Sequence, residues 1–367
     1  MNTSRRTFIK TTGSLTIGFT LIGGFSSCSS ASEKDPELPR SLRRYPTIDA
    51  WLRVLDDGKV QILTGKMELG QGIRTAIAQV AAEELNLKME NVVVILAETG
   101  RTPNEGYTAG SGSIEGSAMS VRYAAAYAKQ RLLALAAAEL QVSVGQLQTA
   151  SGTVQTKDGT HKLTFLEILK GRELKDEIHM PVALKPRNNY YLVGKAISRA
   201  DIGRMVRGEP VYVQDLRFPG MVHARTIRPP VYGAKLIEID QEAVKRKVPG
   251  LLKIVVNGSF LGVIAKDEYP AIQAQTFVID HAQWSYPPSF PETATKDLAA
   301  YLKALPVKTT EVAKRGNITA SSDGNASLKA SYFKPYIMHG SIGPSCAVAR
   351  YEKGMLDVWT HSQGVYP

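Results

Sequence analysis

The chain has 367 residues, 45 Lys plus Arg against 34 Asp plus Glu, a net charge of +11, 43% hydrophobic residues and two cysteines. That length accommodates two or three domains, and the composition excludes a disordered, collagenous or coiled-coil chain. Two thiols can build neither a disulfide framework nor the usual four-thiolate iron–sulfur centre, and positive charge without a dense basic run does not indicate nucleic acid.

Ser4-Arg5-Arg6-Thr7-Phe8-Ile9-Lys10 and the mildly apolar stretch from Leu15 to Phe25 resemble a twin-arginine export signal, which we assign to residues 1–30. The stretch is too short, and too rich in Thr, Ser and Gly, to span a bilayer, which takes about 20 apolar residues. Phe25-Ser26-Ser27-Cys28 reads as a lipoprotein processing site with Cys28 lipidated; cleavage at small residues near Ser29–Ala31 is the alternative. The signal implies a periplasmic protein, anchored to a membrane if Cys28 carries lipid. Twin-arginine export carries proteins already folded, often around a cofactor, which points towards redox chemistry. Residues 31–46 are polar and proline-bearing and read as a tether.

Ile48 to Thr64 alternates around Asp56-Asp57-Gly58 and predicts a hairpin. A glycine-containing loop, Gly65 to Gly72, then enters a helix from Ile73 to Leu87, whose apolar face is Ile73, Ile77, Val80, Ala81 and Leu85. Asn91 to Leu96 predicts a strand, Thr102 to Gly116 a second Gly/Ser loop, and Ser117 to Leu140 a long alanine-rich helix. The region is thus strand–loop–helix twice over. Ser143 and Thr164 suit the N-caps of two short helices with an Asp158-Gly159 hairpin between them. Met180 to Asn189 reads as a linker. Beyond it, strands are expected at Val211–Val213, Met221–Ile227, Lys235–Ile239, Leu251–Val256 and Phe260–Ala265, with a helix from Tyr269 to Trp284. A further helix is expected from Thr293 to Leu305, a polar loop from Gly316 to Gly324, and strand-like sequence from Ser327 onwards. The class is α+β.

Both glycine loops lead into a helix N-terminus, where unpaired N–H groups and a partial positive charge suit phosphate or another anion. Gly70 and Gly72 flank Gln71, so backbone can approach a ligand while one amide side chain donates and accepts. Thr108-Ala109-Gly110-Ser111-Gly112-Ser113 offers small side chains, exposed amides and three hydroxyls. Taken as a lone pattern, Gly-x-Gly before a helix is more often a tight turn. A Rossmann reading of Gly110 to Gly116 fails, because the third glycine falls one residue late and Arg131 to Ala138 holds no acidic residue. The six histidines show no metal spacing, and Cys346 reads as a buried, inert thiol in an apolar strand. No catalytic acid or base and no metal ligand set is displayed.

Gly65 to Leu87, with its Gly-Gln-Gly, resembles the large, molybdopterin-binding subunit of the xanthine dehydrogenase/aldehyde oxidase family, in the branch of the isoquinoline 1-oxidoreductase β subunit. Arg101–Ser113, Val211–Gly233 with Asp215-Leu216-Arg217-Phe218-Pro219-Gly220-Met221, and Tyr332–Pro367 with His339-Gly340-Ser341 and His361-Ser362-Gln363-Gly364 carry the same resemblance in order. It implies an α+β chain in three parts. These are a molybdopterin-binding module over 47–180, an α/β hammerhead-like domain over 190–290, and the start of a second molybdopterin-binding domain over 291–367. It implies a molybdenum–molybdopterin cofactor of the cytosine dinucleotide type, held by Gly70, Gln71, Gly72, Ala109, Gly110, Ser111, Gly112 and Ser113, with Gln71 beside the metal. The chemistry implied is hydroxylation of an N-heterocycle or aldehyde with oxygen from water. Electrons would leave through a small [2Fe–2S] subunit, with a cytochrome as candidate acceptor.

The family's chains run on past the equivalent of Pro367, through a Gly-Gly-Gly-Phe-Gly-Gly-type loop and a late glutamate general base. The expectation is that this polypeptide alone has no turnover, and that either a second chain supplies that half or the chain is a truncated or disrupted gene product; such a base contributes roughly 10²–10⁴-fold. The alternative is a non-catalytic exported binding or assembly protein that keeps the scaffold.

Overall fold

The computed structural model describes residues 37–288, 292–316, 330–341, 343 and 345–366. The expected export signal and Cys28 lie outside them. Within 37–46 the tether expectation is corrected: helix α1 (Arg40–Arg44) forms there, and Leu38 and Leu42 are buried in the core. Two leucines among prolines and arginines are enough apolar surface to dock the segment.

The predicted hairpin forms as β1 (Leu52–Val54) and β2 (Val60–Thr64), antiparallel with Leu52 opposite Ile62. β2 feeds helix α2 (Ile73–Leu85), which crosses over to β3 (Val92–Leu96). β3 lies parallel to β2, with Val60 opposite Val92 and Thr64 opposite Leu96; parallel neighbours need such a crossover. A π turn (Ser113–Ala118) then leads into α3 (Met119–Leu140). Ala124, Ala125, Ala126, Ala128, Ala136 and Ala137 of α3 are buried in one core with Trp51, Ile62, Ile77, Leu85, Leu132 and Phe165. The alanine run therefore serves close packing as well as helix propensity.

Ser143 caps a single 3-10 turn, Val144–Gln146, and Thr164 caps α4 (Phe165–Leu169), each with a reciprocal capping box. Between them lies a three-stranded meander, β4 (Leu147–Ala150), β5 (Thr153–Thr156) and β6 (Lys162–Thr164). The stretch read as a linker is instead bound to α2. Glu83, only 1% exposed, accepts from Lys185 Nζ at 2.6 Å and from the amides of Tyr191, Leu192 and Val193 at 3.0, 2.7 and 2.9 Å. Beside it on α2, the buried Glu84 accepts from the Lys185 amide at 3.0 Å. Two buried glutamates on a helix expected to bury only apolar residues are what hold the stretch there.

The chain divides into one unit of residues 1–211 with 361–367, and another of residues 212–360. The boundaries expected at 180–190 and 290 do not coincide with this division. α5 (Ile202–Val206) closes the main piece of the first unit.

In the second unit the strand expected at Val211–Val213 is absent, and Val213–Asp215 is a 3-10 turn. The Asp215 carboxylate accepts from the Tyr212 amide at 2.9 Å, consuming a donor that a ladder would need. A three-stranded antiparallel sheet follows in the order β7 (His223–Ile227), β10 (Phe260–Ala265), β9 (Leu251–Asn257). β8 (Lys235–Glu238) pairs with β11 (Gln283–Ser285), and α6 (Gln241–Lys247) and α7 (Glu268–His281) complete the unit. Its core joins Ile227, Val244, Leu261, Val263, Ala274 and Val278. The helix expected over 293–305 is split into α8 (Glu292–Lys296) and α9 (Leu298–Ala304), because Asp297 caps the amide of Ala300 at 2.9 Å. Residues 330–341 hold no strand; strand structure resumes only at β12 (Ala347–Glu352) and β13 (Met355–Thr360). Cys346 sits just before β12 and is half-buried rather than buried. Among the described residues no helix is long and apolar enough to cross a membrane.

Candidate cofactor-binding site

The two glycine loops leave the carboxyl ends of adjacent parallel strands, β2 and β3, the position where open α/β sheets build ligand sites. The first runs from Gly65 to Gly72. A side chain at Gly65 is excluded by close approach, since a Cβ there would lie 2.2 Å from the Pro103 carbonyl oxygen. Gly70 and Gly72 have φ of 98° and 83°, which glycine adopts without strain.

The helix N-terminus expected to await an anion already holds one. The Glu68 carboxylate accepts from the amides of Gly70 and Gly72 at 2.9 Å each and of Arg74 at 3.1 Å. Gln71 is exposed but turned onto its own loop, accepting from the Leu69 amide at 2.5 Å and donating to the Met67 carbonyl at 2.9 Å. From outside the loop, Arg199 donates to the Gly70 carbonyl at 2.7 Å while pairing with Asp201 at 2.6 Å.

The second loop differs. Ala109, Gly110 and Ser111 are exposed, and Gly112 and Ser113 half-buried at the start of the π turn. Gly110 and Ser111 are both left-handed, at φ 62° and 58°, with Gly112 back at −78°. A left-handed residue followed by a right-handed one, as at Ser111 and Gly112, turns successive N–H groups to one side as an anion nest, with the Gly112 amide also donating to the Ala109 carbonyl at 3.3 Å. A Cβ at Gly110 or Gly112 would meet open space. π turns cluster at functional sites, and this one delivers the nest into the N-terminus of a 22-residue helix.

The roots of the loops are joined, although the tips at Gln71 and Ser111 share no hydrogen bond among the described residues. Thr108 Oγ1 accepts from the Met67 amide at 2.8 Å. Lys66, 7% exposed, donates to the carbonyls of Glu105 and Tyr107 at 2.9 and 3.1 Å. Burial pulls its ammonium below the ordinary lysine range, and Glu105 offsets part of that. One oxygen of Glu105, Oε2, accepts from Thr64 Oγ1, the Gly65 amide and Ser117 Oγ at 2.7, 2.9 and 2.9 Å. Its other oxygen, Oε1, is buried without a partner.

A third segment, far along the chain, completes the cluster. The Thr108 amide donates to the Gln363 carbonyl at 2.7 Å, and Gln363 Nε2 donates back to the Thr108 carbonyl at 3.1 Å. Tyr366 Oη donates to the carbonyls of Glu98 and Thr102. Among the described residues no three of His, Cys, Asp and Glu gather as a metal-binding group.

Residues 5–200 match the family model described as a molybdopterin cofactor-binding domain. The chain belongs to the molybdopterin cofactor-binding domain family. The motifs at Gly65–Leu87 and Arg101–Ser113 fall within that match, and the resemblance to a molybdopterin-binding family is borne out. The B chain of nicotinate dehydrogenase from Pseudomonas putida is 35% identical over 85% of this chain and 27% of its own length. The β subunit of isoquinoline 1-oxidoreductase from Brevundimonas diminuta is 27% identical over 72% of this chain and 38% of its own. The chain thus spans about a third of the length of these relatives. Among solved structures, quinoline 2-oxidoreductase from Pseudomonas putida 86 matches 32% of this chain and 15% of its own at 27% identity, with a TM-score of 0.28.

Of the residues that make this molybdopterin cofactor-binding domain cohere, Lys66, Glu68, Glu105 and Arg199 are absent from the sequence-derived set, and Thr108 enters it only as a hydroxyl of the second loop. Lys66 was detectable: a charge placed two residues after the buried strand Val60–Thr64 must find partners. Glu105 and Arg199 carried no such local signal.

Proposed function

We propose that this chain is the cofactor-binding part of a molybdenum hydroxylase large subunit. It would oxidise an N-heterocycle or aldehyde with oxygen from water and pass electrons to a small [2Fe–2S] subunit, with a cytochrome beyond it. The observation that carries the reading is the meeting of two glycine loops and the 361–366 segment at the ends of β2 and β3. The two relatives, a nicotinate and an isoquinoline enzyme, favour the N-heterocycle.

The donor set suits the cofactor. The nest at Gly110 to Gly112, with the hydroxyls of Ser111 and Ser113, would take the phosphate end, and open space at both glycines leaves room for it. A cytosine dinucleotide would extend over the same loop. When bound, the cofactor supplies two-electron redox chemistry at its metal, and the protein's share is binding and orientation. Gln71 spends one donor and one lone pair on Met67 and Leu69 and keeps one of each for a ligand, and it must swing off its loop only if that ligand lies elsewhere. Gly70 and Gly72 permit that rearrangement through their left-handed backbone. Export by the twin-arginine route to the periplasm, with Cys28 as an anchor, belongs to the same proposal.

The test is cofactor content. The chain, purified alone and after co-expression with the small subunit and a chain carrying the rest of the large subunit, is assayed for molybdenum, pterin and released cytidine monophosphate. Metal and pterin retained in the parent chain and lowered by Gln71→Ala are expected. Their absence from both preparations overturns the assignment.

A further inference from the structure

Lys66 and Glu105 form a crossed clamp. Lys66 belongs to the first loop but donates to two carbonyls of the second, those of Glu105 and Tyr107. Glu105 belongs to the second loop, but its carboxylate holds the Thr64 hydroxyl and the Gly65 amide at the root of the first. The same oxygen takes Ser117 Oγ, and Ser117 Oγ and Thr64 Oγ1 lie 2.8 Å apart, so the π turn is gripped as well. Each loop therefore carries the residue that positions the other. No hydrogen bond of either residue reaches the exposed tips at Gln71 and Ser111.

We propose that Lys66 and Glu105 are positioning residues that fix the separation of the Gly70–Gly72 and Ala109–Ser113 loops, and with it the width of the cofactor seat. The idea rests on the cofactor reading for its purpose, though the clamp can be tested without any cofactor. A buried lysine bonded to neutral carbonyls and a carboxylate spending only one of its oxygens are costly to bury. The arrangement gives them a geometric task that a leucine core could not perform.

The experiment compares Lys66→Met, Lys66→Arg, Glu105→Ala and Glu105→Gln in the full chain, by amide hydrogen exchange and by pterin content. Lys66→Met loses two charge-assisted hydrogen bonds and Glu105→Ala three, so each should speed exchange over residues 104–113 and 65–72 by about tenfold or more. Exchange inside α2 and α3 should stay as in the parent. Lys66→Arg should restore most of the protection. Glu105→Gln should also retain it, because the replaced Oε1 has no partner and Oε2 keeps its three donors. Pterin content should follow loop protection across the series. Unchanged loop exchange in Lys66→Met and Glu105→Ala overturns the clamp. So does global loss of protection in the two conservative variants. Intact protection in Glu105→Gln with lost pterin overturns the positioning role in favour of direct contact. If even the parent chain carries no pterin, the cofactor reading fails, and the exchange data still decide the clamp.

Discussion

Removing the Glu83 carboxylate should unfasten the 185–193 strap from α2. Glu83 is buried and holds Lys185 Nζ at 2.6 Å and three backbone amides at 2.7–3.0 Å. Burial alone would raise its pKa, but Lys185 and the amides outweigh that and hold the carboxyl below its usual range. Glu83→Ala leaves a 10%-exposed ammonium without its carboxylate, though still bonded to the carbonyl of residue 83, and three amides without acceptors, a loss of about 3–5 kcal/mol. For a unit of this size, each kcal/mol shifts Tm by roughly 2–4 °C, so a fall of about 6–20 °C is expected. Trp51, the one tryptophan in residues 1–211 and fully buried, reports this unit in urea denaturation. The sign with pH follows from the lowered pKa: the contribution is present above about pH 4.5 and fades as pH falls through the folded value. A loss below about 1 kcal/mol in Glu83→Ala would refute the reasoning, because buried charge pairs lose more than exposed ones.

Gly65→Ala should be disruptive, since its Cβ meets the Pro103 carbonyl at 2.2 Å and the Glu105 amide at 2.9 Å; overpacking against backbone costs about 1–3 kcal/mol, read by the same Trp51 titration. Glu68→Ala should cost about 1–2 kcal/mol as a lost cap and leave three amides open, so that added sulfate raises its Tm more than the parent's. An equal sulfate response in both would show that the amides are not freed. Burial first, and Glu83 second, push the Tyr191 hydroxyl up to about 12. Its contribution is complete below about pH 10 and lost as pH rises through 12, so ultraviolet titration should show one late-ionising tyrosine that Tyr191→Phe removes.

The scaffold of the first unit was legible because its signals are local. An Asp-Asp-Gly turn, a helix that starts after Gly72, β-branched Val92–Leu96 and an alanine-rich run each announce an element over a few residues. Capping boxes at Ser143 and Thr164 are legible for the same reason. What escaped is long-range. Nothing near Glu83 indicates that residues 191–193 will present their amides to it, over 108 to 110 positions away. The glycine loops could be located but not their occupancy, because a glutamate two residues before a glycine reads as solvent-exposed until the helix N-terminus turns onto it. The linker reading of residues 180–189 missed contacts of the same kind: prolines and polar residues mark irregular backbone, and irregular backbone can be as firmly held as a strand.

The bond between Thr108 and Gln363 spans 255 positions. Residues 361–366 and the main body of their unit are separated in the chain by the whole of residues 212–360. Closing a free loop of that length costs about 5 kcal/mol, comparable with what the bonds of Gln363 and Tyr366 return at about 1 kcal/mol each. The docking is therefore balanced on the state of the insert. Folded, residues 212–360 remove most of the loop's freedom before the segment arrives; unfolded, they leave it to compete with the entropy of a long chain. During synthesis the second glycine loop waits for an anchor that cannot exist until the insert has been made.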